Sequence, residues 1–373
     1  MKKKILVVFG GKSVEHDISI ITAFQVIKNM PKSFDFLPVY IDKFDLWWTA
    51  ENLNEISTYA DFDICARHKK QVSLMCGKNI LMIYKHKKFI PFCEVDCVIN
   101  CCHGGGGENG SLQGLFEMCH IPQTSSGACS CAQCMDKILM KKVLHSSDIL
   151  SPKYVDFCKC EYEDDKAKCF DIVSKNLSLP VIVKPSSLGS SIGISVCESV
   201  EDFDNAFSLA FSFGEKILVE EVVQNLLEFN CAGLLYKGNV TTSKVGVVKK
   251  HKNIYTFDEK YLKKSEKIQF LTKDIEKSVK KLTEKIYKLF DCRGIVRVDF
   301  LFDEKENLLF VNEINTIPGS FSFYLFEKLP FSEMLRAMVE EAKANYEKSK
   351  SFITDFESDA LDIFAENCER IKK

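Results

Sequence analysis

The sequence predicts an α/β protein in three parts. An N-terminal open, parallel α/β domain spans residues 1–130, a small central α+β domain 131–214, and a C-terminal antiparallel-sheet domain 215–350; a helical tail follows at 351–373. Three observations predict this. Up to about residue 125, β-branched apolar runs alternate with stretches of helical spacing, the pattern of strands joined by crossover helices. Beyond about 215 the apolar runs alternate with period two and are separated by polar turns, as antiparallel strands are. The 373-residue length also exceeds one core, at ~100–200 residues per domain.

Taken in order, residues 4–9 form an apolar strand ended by Gly10 and Gly11, and 19–30 a helix with Ile20, Ala23, Phe24 and Ile27 on one face. Strands follow at 36–41 and 95–100, with a short hairpin at 74–83 and a helix at 111–119 after a glycine cluster. Ligands of such a domain sit beyond the carboxyl ends of its strands. The central part reads as helix 134–145, strand 153–157, an acidic helix, strand 181–184, a glycine loop, strand 193–197 and helix 200–211. Its phenylalanine-rich stretch 203–213 reads as core. Strands at 217–221, 228–236, 239–248, 295–302 and 307–315 make up the last sheet, with helix 275–290 between them. Residues 330–373 read as amphipathic helix.

Fifty Lys and Arg against 52 Asp and Glu give a net charge of −2, so no global field is aimed at nucleic acid or anionic lipid. No run approaches the ~18 apolar residues of a membrane span. The opening MKKKILVVFGGKS is too short in apolar residues for a signal-peptide core and suits a first strand and turn. A cytoplasmic protein is expected. Its 17 cysteines, odd in number and scattered, read as reduced thiols; Cys131 and Cys134 have redox or zinc spacing but no partner pair. His16, His120 and His251 read as surface or turn residues.

Three stretches carry chemistry. In residues 179–193 a strand ends in Lys184, a Gly/Ser loop follows, and a second strand begins. Gly189 and Gly193 allow backbone N–H groups to face an anion, Ser190 and Ser191 add hydroxyls, and Lys184 adds a charge suited to phosphate. A plain Ser/Gly hairpin turn is the alternative. The second stretch is a strand pair. Period-two alternation puts Arg297 and Asp299 on one face of a strand, and Glu313 and Asn315 on one face of the next. If the faces coincide, three oxygen donors suited to a hard divalent cation meet an arginine, one of only five in the chain. An exposed face of paired charges is the alternative. Third, His103-Gly-Gly-Gly-Gly-Glu-Asn-Gly-Ser-Leu-Gln-Gly114 presents helix N-terminal amides to an anion, or is a loose turn. A dehydrogenase reading from Gly10-Gly11 alone is weak, because G-x-G-x-x-G is absent and no acidic residue sits well ~20 positions on.

These stretches, with GGKSVEHDIS (10–19), MDK (135–137), Glu220-Glu221, DEKYL (258–262), RVDF (297–300) and NEINTIPG (312–319), stand in the order and spacing of a known family. Over roughly residues 3–345 the chain resembles the D-alanine–D-alanine ligases of the ATP-grasp superfamily. The resemblance implies an ATP-grasp fold and an ATP-dependent ligase. Such an enzyme makes D-alanyl-D-alanine through a D-alanyl-phosphate intermediate, releases ADP and phosphate, and serves peptidoglycan precursor synthesis. It implies Mg²⁺ or Mn²⁺, as two ions, and a homodimer with no nucleic-acid or membrane partner. By resemblance Glu15, coupled to Ser190 and Tyr261, holds the ammonium of the first D-alanine. Lys137, Lys184, Ser191 and Lys260 attend the ATP phosphates, and Glu220, Glu221 and Val223 the adenine. Glu228 is placed near the ribose. Asp299, Glu313 and Asn315 match the metal ligands, and Arg297 with the Gly319 amide the groups stabilising the tetrahedral intermediate. His103, Tyr324 and Leu325 fall at the acceptor.

The chain departs from the family at Asn109, where Asp is usual, and after Glu228, where it has Phe229-Asn230-Cys231. Tyr324 stands where many members have a carboxylate-binding serine, so the same fold with D-serine or D-lactate as acceptor is the alternative. A nucleotide-binding regulator without catalysis is a further one, and the intact Lys184, Arg297, Asp299, Glu313 and Asn315 argue against it.

Overall fold

The computed structural model describes residues 3–248, 272–361 and 363–365. Strand β1 (Lys3–Gly10) runs parallel to β2 (Phe36–Ile41), and the helix His16–Lys28 crosses between them. Strands β3 (Trp47–Thr49), β4 (Lys70–Met75) and β5 (Ile80–Lys85) then pair antiparallel in sequence, β4 and β5 forming the expected hairpin. The sheet is not open, as the sequence reading had it, and it is parallel only at β2-β1-β6. Strand β6 (Lys88–Asn100) is 13 residues long; its first half pairs antiparallel with β5 and its second half parallel with β1, which closes the ring. Local periodicity reports that a segment is a strand but not which edge it finds.

Strands β7 (Tyr154–Cys158), β8 (Val181–Pro185), β9 (Ser195–Cys197) and β10 (Lys216–Glu221) form the second sheet, ordered β7-β10-β8-β9 with antiparallel neighbours. Its helix Phe203–Phe211 buries Phe203, Phe207 and Phe211, so the phenylalanine-rich stretch is core as expected, save Phe213 at its end, which is exposed. In the third sheet β11 (Leu226–Tyr236) lies between β12 (Asn239–Thr242) and β14 (Ile295–Asp303), and β15 (Leu308–Asn315) pairs with β14. The strand expected at 239–248 is two: β12 and β13 (Gly246–Val248) both pair with β11, one residue out of register. Between them Ser243 donates its N–H to the Ala232 carbonyl, a bulge that absorbs the extra residue.

The helix Phe331–Ser349 buries Phe331, Met334, Leu335 and Met338 in one cluster with Val7 and Phe9 of β1, Ile99 of β6, Leu234 of β11 and Ile295 of β14. This shared core holds the first and third sheets together. The helix stops at Ser349 and residues 353–358 lack regular structure, so helix is not continuous from 330 to 373. Among the described residues no helix is long and apolar enough to cross a membrane, and the described cysteines are free and mostly buried.

Candidate active site

The helix after β1 begins at Glu15, which occupies its N-cap. The side chain is buried, and one carboxylate oxygen accepts the Ser190 hydroxyl from the glycine loop 175 residues away in sequence. Two glycines make the space. A Cβ at Gly189 would lie 2.8 Å from Glu15 Oε2, and one at Gly104 2.6 Å from the same atom. Ser190 and Ser191 both have left-handed backbone, with φ of 56° and 57°, a conformation that turns the loop over the carboxylate.

Across the pocket the strand pair behaves as its periodicity demands. Arg297 pairs with Asn315 and Asp299 with Glu313 in the β14–β15 register, so all four side chains share one face. Arg297 grips Asp299 with two bonds, Nε to Oδ1 at 2.6 Å and a second guanidinium nitrogen to Oδ2 at 2.8 Å. The Asn315 amide donates to Asp299 Oδ2 at 3.2 Å. Two carboxylates and an amide on adjacent strands supply hard oxygen donors that fit a divalent cation. Lys137, at the start of the helix Lys137–Ser146, lies 3.9 Å from Glu313 and donates to the Leu188 carbonyl at 2.7 Å.

Lys184, the last charged residue of β8, pairs with Glu220 of β10 and reaches Asn312 Oδ1 at 3.4 Å. Lys141 approaches Glu220 from the other side at 3.1 Å. Burial works to raise the Glu220 carboxyl, but Lys141 and Lys184 overcome it and hold it below its ordinary range. Burial also brings Lys141 down to about 8.

The floor is set by the segment after β15. Ser320, Phe321 and Ser322 form a left-handed turn, with φ of 54°, 49° and 47°. Its amides are tied to the first sheet: Ser320 N–H donates to Thr22 Oγ1 at 3.0 Å, and Ile317 N–H to Glu108 at 3.1 Å. Glu108 also accepts Gly104 N–H at 2.7 Å. Burial, with the charge of Glu15 nearby, pushes its carboxyl up to about 8. His103 Nε2 lies 2.8 Å from Thr22 Oγ1, and its ring also bonds the Ile317 backbone. Burial lowers His103 to about 4, which favours the neutral ring.

One pocket therefore gathers Glu15, His103, Lys137, Arg297, Glu313, Asn315 and Gly319 of the expected residues, with Glu108 and Gly189. Others lie apart from its lining. Glu221 faces away from Glu220 and accepts Ser178 N–H at 2.9 Å. Val223 and Glu228 are half-buried, Glu228 opposite Leu301 on β14. Leu325 packs in the core, while Tyr324 is 55% exposed against Phe323. Lys260 and Tyr261 lie outside the described residues, as does His251.

Sequence reasoning missed Thr22, Glu108 and Lys141. Glu15, Ser19 and Thr22 follow one another at helical spacing and are all buried, a polar stripe legible beside the apolar one. Glu108 is a lone acid in the glycine cluster; Lys141 stands one turn from Lys137. His16, read as a surface or turn residue, is buried at the start of its helix, its ring bonding the Gly11 carbonyl at 2.7 Å and the Tyr40 hydroxyl at 3.1 Å; His120 is exposed as expected.

Two family models match the chain: that of the D-ala D-ala ligase N-terminus over residues 4–126, and that of the D-ala D-ala ligase C-terminus over 143–334. The D-alanine–D-alanine ligase of Thermosipho melanesiensis is 35% identical over 355 residues, 92% of this chain and 94% of that one. The crystal structure of D-alanine–D-alanine ligase from Helicobacter pylori is 28% identical with a TM-score of 0.75, covering 91% of this chain and 98% of its own. The VanG D-Ala:D-Ser ligase of Enterococcus faecalis is 29% identical with a TM-score of 0.77, covering 92% and 100%. Fold and neighbours define the class, an ATP-grasp enzyme that uses ATP and a divalent metal ion on small-molecule substrates. The chain belongs to the D-alanine–D-alanine ligase family.

Proposed function

We propose that this enzyme joins two molecules of D-alanine at the expense of ATP, through D-alanyl phosphate, for peptidoglycan precursor synthesis in the cytoplasm. The observation that carries the reading is the pocket itself. A buried carboxylate braced by Ser190 faces, across one cavity, an arginine and a cluster of oxygen donors.

A carboxylate is a poor acyl donor, because its leaving group is oxide. Transfer of the γ-phosphoryl group to a carboxylate oxygen of the first D-alanine, with loss of ADP, installs phosphate as a leaving group. Glu15 holds that molecule's ammonium, Ser190 fixes Glu15, and Tyr261 completes the set. Lys137, Lys184, Ser191 and Lys260 take the ATP phosphates; Glu220, Glu221 and Val223 frame the adenine, and Glu228 the ribose. Asp299, Glu313 and Asn315 would hold Mg²⁺, or Mn²⁺, as two ions. Bound there, the metal offsets negative charge on phosphate oxygens. The amine of the second D-alanine attacks the acyl carbon, and Arg297 with the Gly319 N–H stabilises the oxyanion that forms. Collapse breaks the C–O bond to phosphate, the nitrogen gives up a proton to the departing phosphate, and the amide remains. The loop at 189–193 keeps out water that would hydrolyse the intermediate.

Of the residues expected at the acceptor, His103 lines the pocket and keeps that place in this scheme, while Leu325, packed in the core, and the exposed Tyr324 are given no contact with the acceptor. Three sheets support the partition at 1–130, 131–214 and 215–350, with 351–373 as a tail, and a homodimer completes the reading. The similarity to a D-Ala:D-Ser ligase keeps D-serine as the second reading. Phosphate release from ATP and D-alanine, measured with D-alanine, D-serine or D-lactate as acceptor, decides between them. Fastest release with D-alanine is expected. A preference for either other acceptor replaces the substrate, and no release above ATP alone overturns the ligase reading.

A further inference from the structure

Lys141 is the most enclosed cation of the site and has no part in the scheme above. Its side chain is 0% exposed, one helical turn beyond Lys137, so it cannot extend to a ligand in the pocket. The anion beside it is Glu220 Oε2 at 3.1 Å, while Lys184 takes Glu220 Oε1. The Tyr154 ring lies 5.4 Å from the Lys141 ammonium, and Tyr154 is the β7 partner of Glu220. Glu220, itself buried, thus carries two lysines where one would neutralise it.

The two lysines differ in freedom. Lys184 stands one residue before the end of β8, at the mouth of the glycine loop, with its side chain 8% exposed and also reaching Asn312, whereas the Lys141 side chain is 0% exposed. A triphosphate arriving at the loop competes with Glu220 for Lys184. With Glu220 held by Lys184 alone, that exchange would strand a buried carboxylate without a cation, a state several-fold costlier than an intact pair. We infer that Lys141 is a positioning residue for ATP: it is the resident counter-ion that keeps Glu220 charged and in place while Lys184 is handed over to phosphate. The inference rests on reading the site as the ATP site.

Titration calorimetry of ATP on the full chain tests it, beside the D-alanine dependence of phosphate release. Lys141→Met should weaken ATP by about 30-fold or more, as truncating one partner of a buried charge pair does, with the D-alanine KM close to wild type. In a Glu220→Gln background the same change should have little further effect, because no carboxylate is left to strand. A purely structural lysine would lower the melting temperature in both backgrounds and leave the ATP affinity alone. The groups facing Lys141 are Glu220 on β10, Lys184 on β8, Tyr154 on β7 and Lys137 on its own helix. Should Lys141→Met not fold, wild-type protein carries the test: ATP affinity should fall as pH rises through about 8, and Glu220→Gln should flatten that fall. ATP affinity in Lys141→Met equal to wild type, or an unflattened profile in Glu220→Gln, overturns the inference. Wild-type protein that binds no ATP overturns the site reading instead.

Discussion

Replacing Gly189 by alanine perturbs the Glu15 carboxylate without touching its charge. The new Cβ would stand 2.8 Å from Glu15 Oε2 and 3.1 Å from Oε1, where ordinary contact begins near 3.4 Å, so the carboxylate must retreat by about 0.6 Å. It has little room. Gly104 closes the other side, its own Cβ position lying 2.6 Å from Oε2, and Ser190 holds Oε1. Retreat therefore strains the Ser190 bond and draws the charge away from a substrate ammonium. A charge-assisted hydrogen bond is worth roughly 1.5–3 kcal/mol, and losing about half of it weakens the first amino acid ~3- to 10-fold. Phosphate release against D-alanine at saturating ATP should show a raised KM, and ATP binding measured directly should not move. Glu15→Gln, which removes the charge in place, should give the larger effect, ~10- to 100-fold. A Gly189→Ala enzyme with wild-type D-alanine dependence, or one that loses ATP affinity instead, would refute the reasoning.

Asp299→Ala and Glu313→Ala should each cut turnover by ~10²–10³ at saturating ATP while melting near the wild-type temperature; undiminished turnover in both removes the metal-site reading. Tyr324 is 55% exposed and edge-on to Phe323, so acceptor profiles of Tyr324→Phe and Tyr324→Ser should match wild type, and a raised acceptor KM in Tyr324→Phe would put the hydroxyl on the acceptor. Glu341 accepts Gly294 N–H at 3.0 Å, and burial lifts its carboxyl from 4.5 to about 7. The folded protein then holds a proton that the unfolded chain has released, so this contribution is full at acid pH and disappears as pH rises through about 7. Melting temperature should fall across that window, and fall less in Glu341→Gln; equal slopes in both proteins refute the assignment.

The face that carries the carboxylates and the arginine was legible because it needs only period two and a short polar turn, which fix Arg297, Asp299, Glu313 and Asn315 without any distant partner. The Glu15–Ser190 bond was not legible from residue pattern, since it joins two loops 175 residues apart, and the family resemblance alone suggested it. Thr22, Glu108 and Lys141 were missed for a different reason. Each is a polar residue buried by another part of the chain, and a helix read for its apolar stripe hides a second, polar one. Ring closure of the first sheet escaped because a strand with two partners, such as β6, carries no local mark of the second.

The pocket floor shows why the parts of this site cannot be read separately. Three successive non-glycine residues in left-handed conformation cost about 1–2 kcal/mol each. No preference of Ser320, Phe321 or Ser322 supplies that; tertiary contacts must. Phe321 is 1% exposed and meets Phe331 edge-on at 6.4 Å, and burying such a ring contributes about 1.5–3 kcal/mol. The remainder comes from amide bonds to Thr22 and Glu108, both on the first sheet's elements. The turn that follows Gly319 at the pocket is therefore stable only while the first and third sheets are docked through their common core. Glu15 and Glu108 come from the first part of the chain, Ser190 and Lys184 from the second, Arg297 and Gly319 from the third. A pocket built this way is sensitive to the packing of Thr22, which braces Ser320 without lining the pocket itself.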